Sequence, residues 1–71
     1  MMTTDNIIRV LSAGGGISID AGNMTTDSLV RIASAAKAGN ATVILKNVER
    51  ILTDNKIRIA SAGGGKVIFE L

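Results

Sequence analysis

The chain states the same ten-residue theme three times within 71 residues. Asp5-Asn6-Ile7-Ile8-Arg9-Val10-Leu11-Ser12-Ala13-Gly14 returns as Asp27-Ser28-Leu29-Val30-Arg31-Ile32-Ala33-Ser34-Ala35-Ala36. It returns again as Asp54-Asn55-Lys56-Ile57-Arg58-Ile59-Ala60-Ser61-Ala62-Gly63. The opening aspartates are 22 and then 27 residues apart, and each copy runs on through glycine into β-prone residues. These runs are Ile17-Ser18-Ile19, Thr42-Val43-Ile44-Leu45 and Lys66-Val67-Ile68-Phe69-Glu70. A recurrence of this period constrains the fold more than any other feature. A unit this short cannot bury its own apolar side and must stack on the next.

Each unit reads as a helix followed by a strand. Thr4, Thr26 and Thr53 are placed to cap the helix N-termini, and the aspartate after each meets the positive end of the helix dipole. Apolar residues two, five and six positions after the aspartate (Ile7, Val10, Leu11; Leu29, Ile32, Ala33) line one helical face. The third copy puts Lys56 in the first of those places, which predicts a less fully covered helix. Gly14, Gly39 and Gly63 are expected helix stops, since a C-terminal cap favours a left-handed residue.

Three such units predict an α/β domain over residues 1–71, with units at about 3–20, 25–46 and 52–70. Parallel strands joined by crossovers of one hand place all helices on one sheet face. The expected architecture is therefore a solenoid-like two-layer stack: a short parallel sheet with its helices on one face. The connections fall at Asp20–Met24 and Lys46–Leu52. Alternation along the strands sends Ser18, Asp20, Thr42, Ile44, Lys46, Lys66, Ile68 and Glu70 to the other face. Parallel sheets are normally covered on both sides, so Ile44 and Ile68 in the middle of an open face call for a partner. The candidate interface is Ile44, Lys46, Lys66, Ile68 and Glu70.

The alternation of short strand and helix resembles a leucine-rich-repeat solenoid over nearly the whole chain. Ile17-Ser18-Ile19, Val43-Ile44-Leu45 and Val67-Ile68-Phe69 match the apolar-x-apolar centre of that pattern, and Asn23 and Asn47 lie near its asparagine. The resemblance implies a protein-recognition surface on the strand face and no catalysis. A local stretch, Ile57 to Lys66, is similar to the first helix and loop of a TAL-effector-type DNA-binding repeat. That repeat follows its loop with a helix, whereas Val67-Ile68-Phe69 reads as strand.

Composition narrows the function further. The chain has no Cys and no His. It therefore lacks the residues of a zinc ribbon, a thiol site or a Ser-His-Asp triad. Eight Lys and Arg against six Asp and Glu give a formal charge of +2 with no like-charged run, and Phe69 is the single aromatic. Both features argue against nucleic acid, which calls for a basic patch and stacking platforms. Arg9, Arg31 and Arg58 stack into a ladder that invites a phosphate or nucleic-acid reading. Each also stands four residues after an aspartate, where an i,i+4 ion pair is the simpler expectation. Gly14-Gly15-Gly16 and Gly63-Gly64-Gly65-Lys66 follow helices rather than precede them, so they meet the carbonyl end of the helix and read as linkers. Asp20, Asp27, Glu49, Asp54 and Glu70 show no calcium-loop spacing. No catalytic residue, cofactor or metal is expected. Met1, Met2 and Met24 read as packing residues.

The N-terminal Met1–Asp5 has no basic region leading into an apolar stretch, and no apolar run approaches the roughly 20 residues of a membrane helix. A cytoplasmic protein with no membrane partner is the simplest expectation. Met24-Thr25-Thr26-Asp27 repeats Met2-Thr3-Thr4-Asp5, as if another copy of the chain continued the array, and no polar capping unit is evident. A domain of about 70 residues without staples gains little from its own core and tends to oligomerise. The expected function is a non-catalytic interaction or self-assembling module, a homo-oligomer joined through the open sheet face or its edges. The alternatives are a module for a different protein partner and a phosphate or nucleic-acid binder built on the arginine ladder.

Overall fold

A computed structural model describes residues 2–71; Met1, read above as a packing residue, lies outside the described residues. Helix and strand alternate three times: α1 (Thr4–Ser12), β1 (Ile17–Asp20), α2 (Thr26–Gly39), β2 (Val43–Lys46), α3 (Thr53–Gly63) and β3 (Val67–Phe69). The strands form one parallel sheet in the order β1-β2-β3. Ile17, Val43 and Val67 share one row, Ser18, Ile44 and Ile68 the next, and Ile19, Leu45 and Phe69 the third. The helices pack side by side on the sheet, with α2 between α1 and α3.

The core lies between the two layers. Val43 and Leu45 on the central strand are buried, as are Leu11, Leu29, Ile32 and Ile59 on the helices. Their neighbours in the same rows, Ile17, Ile19, Val67 and Phe69, are half-buried because β1 and β3 are each covered by a strand on one side only. No polar or charged residue is buried among those described. The third helix is the least covered, with Ile59 and Gly63 as its buried residues and Lys56 half-exposed.

The helix ends differ from the sequence reading by one residue. Thr3 caps α1, its hydroxyl accepting from Asn6 N–H at 3.2 Å, and Thr25 caps α2, accepting from Ser28 N–H at 3.1 Å. Thr4 and Thr26 are already the first helical residues. The reason is reach: an N-cap hydroxyl serves the amide three residues on, and the earlier threonine of each pair stands in that place. The third unit has one threonine, Thr53, so its cap position falls on Leu52 and no side-chain bond is made. Leu52 is 71% exposed and contributes little by packing. Leu52→Thr should therefore stabilise the domain by about 0.5–2 kcal/mol, read as a higher melting temperature. An unchanged or lower one would show that the missing cap does not limit α3.

Gly14 stands just past the cap of α1 with φ of 98°, as expected, but the other two expected stops move. Ala13, Asn40 and Gly64 cap the C-termini, Asn40 and Gly64 in the left-handed conformation, with φ of 53° and 54°. Gly39 and Gly63 lie inside their helices. Gly39 is needed for a close approach: a Cβ there would stand 1.8 Å from the carbonyl oxygen of Leu11.

Candidate interaction face

Strand alternation produces the face directly. Each strand turns one set of side chains into the core and the intervening set away from the helices. The second set is Ser18 and Asp20 from β1, Ile44 and Lys46 from β2, and Ile68 from β3, flanked by Lys66 and Glu70. Register puts Ser18, Ile44 and Ile68 in one row across the sheet, and Asp20 beside Lys46 in a row nearer the C-terminal ends. Ile68 is 50% exposed and Ile44 half-buried, so the two isoleucines form a small apolar centre. Lys46 and Glu70 are exposed and Lys66 half-exposed around it. All five residues of the expected interface thus lie on one uncovered face.

Beyond the strand ends the face opens into a shallow depression of about 330 Å³, lined by Ser18, Asp20, Lys46, Asn47, Glu49 and Glu70 with Leu71. Asp20 is partly engaged there, accepting from Gly22 N–H at 2.8 Å. Leu71 is not marked by the sequence, and Asn47 only by the leucine-rich-repeat resemblance, because both lie outside the alternating strands. The left-handed backbone of Asn47, with φ of 57°, turns the chain at this point. Asparagine after a strand is the one local signal that marks such a turn. Among the described residues, no group of three or more His, Cys, Asp or Glu is placed to hold a metal ion.

The aspartate–arginine pairing differs from the expectation. Within α1, α2 and α3 none of the i,i+4 pairs Asp5–Arg9, Asp27–Arg31 or Asp54–Arg58 closes among the described ion pairs. The ion pair that does form runs between helices, from Arg31 on α2 to Asp5 on α1 at 3.3 Å. The equivalent pair between Asp27 and Arg58 is not formed. Both partners of the closed pair are largely exposed, so its contribution is about 0–1 kcal/mol. Arg9, Arg31 and Arg58 are all exposed, and Arg31 already has its carboxylate. The glycine runs follow α1 and α3, facing helix C-termini as expected.

Comparison with known protein families, characterised proteins and solved structures finds no match to this chain. No helix among the described residues is long and apolar enough to cross a membrane.

Proposed function

We propose that the chain is a non-catalytic, cytoplasmic interaction module that works by association, copies of itself first, through the uncovered face and edges of its sheet. The observation that carries this reading is the in-register pair Ile44 and Ile68 on the open side of a parallel sheet. Such sheets are usually covered on both faces, and an apolar centre inside a charged rim is how protein contact surfaces are built. The flanking Lys46, Lys66 and Glu70 carry both signs of charge, which suits a partner face of mixed charge better than a polyanion. The resemblance to leucine-rich repeats supports the same surface, since it implies recognition on the strand side.

The test is the double variant Ile44→Asp with Ile68→Asp. Full burial of an isoleucine is worth about 1.5–3 kcal/mol, and each of these is already half covered or more, so losing both should weaken association by at least about tenfold. Because both side chains point away from the helices, far-ultraviolet circular dichroism should be unchanged. Light scattering after size exclusion reads the result. A double variant that associates as strongly as the parent would remove the sheet face from the contact.

A further inference from the structure

The three helices share a sequence, so equivalent positions can be compared for what covers them. The positions one, five and eight after the aspartate are exposed on α1 (Asn6, Val10, Ala13). On α2 they are covered or half-covered (Ser28, Ile32, Ala35), and so they are on α3 (Asn55, Ile59, Ala62). This is the side each helix turns to the unit before it. The positions three and six after the aspartate behave in the opposite way. They are covered or half-covered on α1 (Ile8, Leu11) and α2 (Val30, Ala33) but exposed on α3 (Ile57, Ala60). This is the side turned to the unit after. Val10 on the outer side of α1 is 38% exposed and Ile57 on the outer side of α3 is 57% exposed. The equivalents of Val10 in the other units, Ile32 and Ile59, are buried, and those of Ile57, Ile8 and Val30, are half-buried.

The sheet is unfinished in the same direction. Val43 N–H donates to the Lys66 carbonyl at 2.9 Å, Glu70 N–H to that of Leu45 at 2.9 Å, and Ile17 N–H to that of Thr42 at 3.1 Å. Residues of a parallel strand bond alternately to one side and the other. The N–H and C=O groups of Val67 and Phe69 therefore point off one edge, and those of Ser18 and Asp20 off the other. Along the β1 edge runs a groove of about 590 Å³ whose apolar lining includes Met2, Ile7, Ile17, Ile19 and Met24.

We propose that a second copy of this chain docks end to end, α3 and β3 of one copy against α1 and β1 of the next, continuing the internal stack. Ile57 and Ala60 then meet Val10 and Ala13 as Ile8 and Leu11 meet α2 within the chain. Strand β3 extends the neighbour's sheet in the register already used twice, Val67 beside Ile17 and Phe69 beside Ile19. The free backbone groups of both edges are satisfied and the half-buried side chains of the edge strands are covered. The charges are compatible: Arg9 and Asp54 come to occupy the places that Arg31 and Asp5 hold in the ion pair between α2 and α1, a pair that the α2–α3 seam does not close. The second copy is the fitting occupant because each end is the continuation of a packing surface the chain already makes with itself. A head-to-tail contact of this kind propagates into a ring or a filament. The inference rests on the association reading above but uses none of the open-face isoleucines.

Two variants test it, each blocking one end at an exposed position: Val10→Asp at α1 and Ile57→Asp at α3. The parent chain should gain mass with concentration in light scattering. Each variant alone should associate at least about tenfold more weakly, since its only intact end has no intact complement. An equimolar mixture should form a pair of twice the 7.3 kDa chain mass and go no further. Should either variant lose helical circular dichroism, Arg9→Asp and Asp54→Arg take their places, the two changes in one chain restoring what each weakens. Variants that still associate alone while the parent does so would overturn the end-to-end contact and leave the sheet face as the surface. A parent fixed at 7.3 kDa would overturn self-association by either surface. A mixture that stays at single-chain mass while the parent associates would also overturn the end-to-end contact.

Discussion

Replacing Gly39 by alanine should lower the melting temperature by about 10 °C or more, or leave the chain unfolded at room temperature. Two effects oppose each other. Alanine in a helix is favoured over glycine by roughly 0.5–1 kcal/mol, so at an open helical site the change would stabilise. At Gly39 the added Cβ would stand 1.8 Å from the Leu11 oxygen, 2.8 Å from the Leu11 carbonyl carbon and 2.9 Å from that of Ser12. All three atoms are backbone, so no rotamer change relieves the clash, and the C-terminal ends of α1 and α2 must move apart. Overpacking costs about 1–3 kcal/mol even where side chains yield, and here none can. A domain of about 70 residues has roughly 3–5 kcal/mol in hand. The clash therefore decides the sign. Thermal unfolding at one fixed protein concentration checks it, with the exposed Ser34→Ala on the same helix as control. A Gly39→Ala chain that melts at or above the parent would mean that the two helix ends are not held in this contact.

Ile59→Ala should remove about 2–5 kcal/mol and release α3 before the rest of the domain. Helix α3 has one large, fully buried side chain, Ile59. Lys56 stands where α1 and α2 place Ile7 and Leu29, and Ala60 where they place Leu11 and Ala33. Without a side-chain cap at Leu52, little else holds the start of the helix. The loss should be uneven, because regions with few buried contacts open first. Amide hydrogen exchange should accelerate across residues 53–63 and the adjoining β3 more than across α2. If α2 and α3 lost protection together, the domain would be one cooperative unit with no separate weak end.

Much of the candidate face is legible before any folding is considered. Alternation in Thr42-Val43-Ile44-Leu45-Lys46 and Lys66-Val67-Ile68-Phe69-Glu70 places Ile44 and Ile68 together opposite the core, and the parallel register does place them in one row. Asn47, Glu49 and Leu71 lie outside the alternating strands. Their gathering at the strand ends depends on how the chain turns after β2 and β3.

The sequence by itself determined the order and kind of the elements, the parallel sheet and the split between core face and open face. The kinds of element and the split between faces follow from periodicities of 2 and 3.6 that one segment carries alone, and the parallel sheet from the repeated helix–strand order with crossovers of one hand. The tertiary structure decided the choices between near-equal local options. Thr3 and Thr4 are alike as residues, and only the position of the Asn6 amide selects Thr3. Gly39 reads as a stop until the backbone of α1 is seen against it. Arg31 has Asp27 four residues away on its own helix, yet its partner is Asp5 on the neighbouring one. Val10 and Ile57 are one apolar residue among several in their helices, and only packing order leaves those two uncovered at opposite ends. A periodicity is fixed within a segment, whereas the nearest partner is fixed by which segment folding brings alongside.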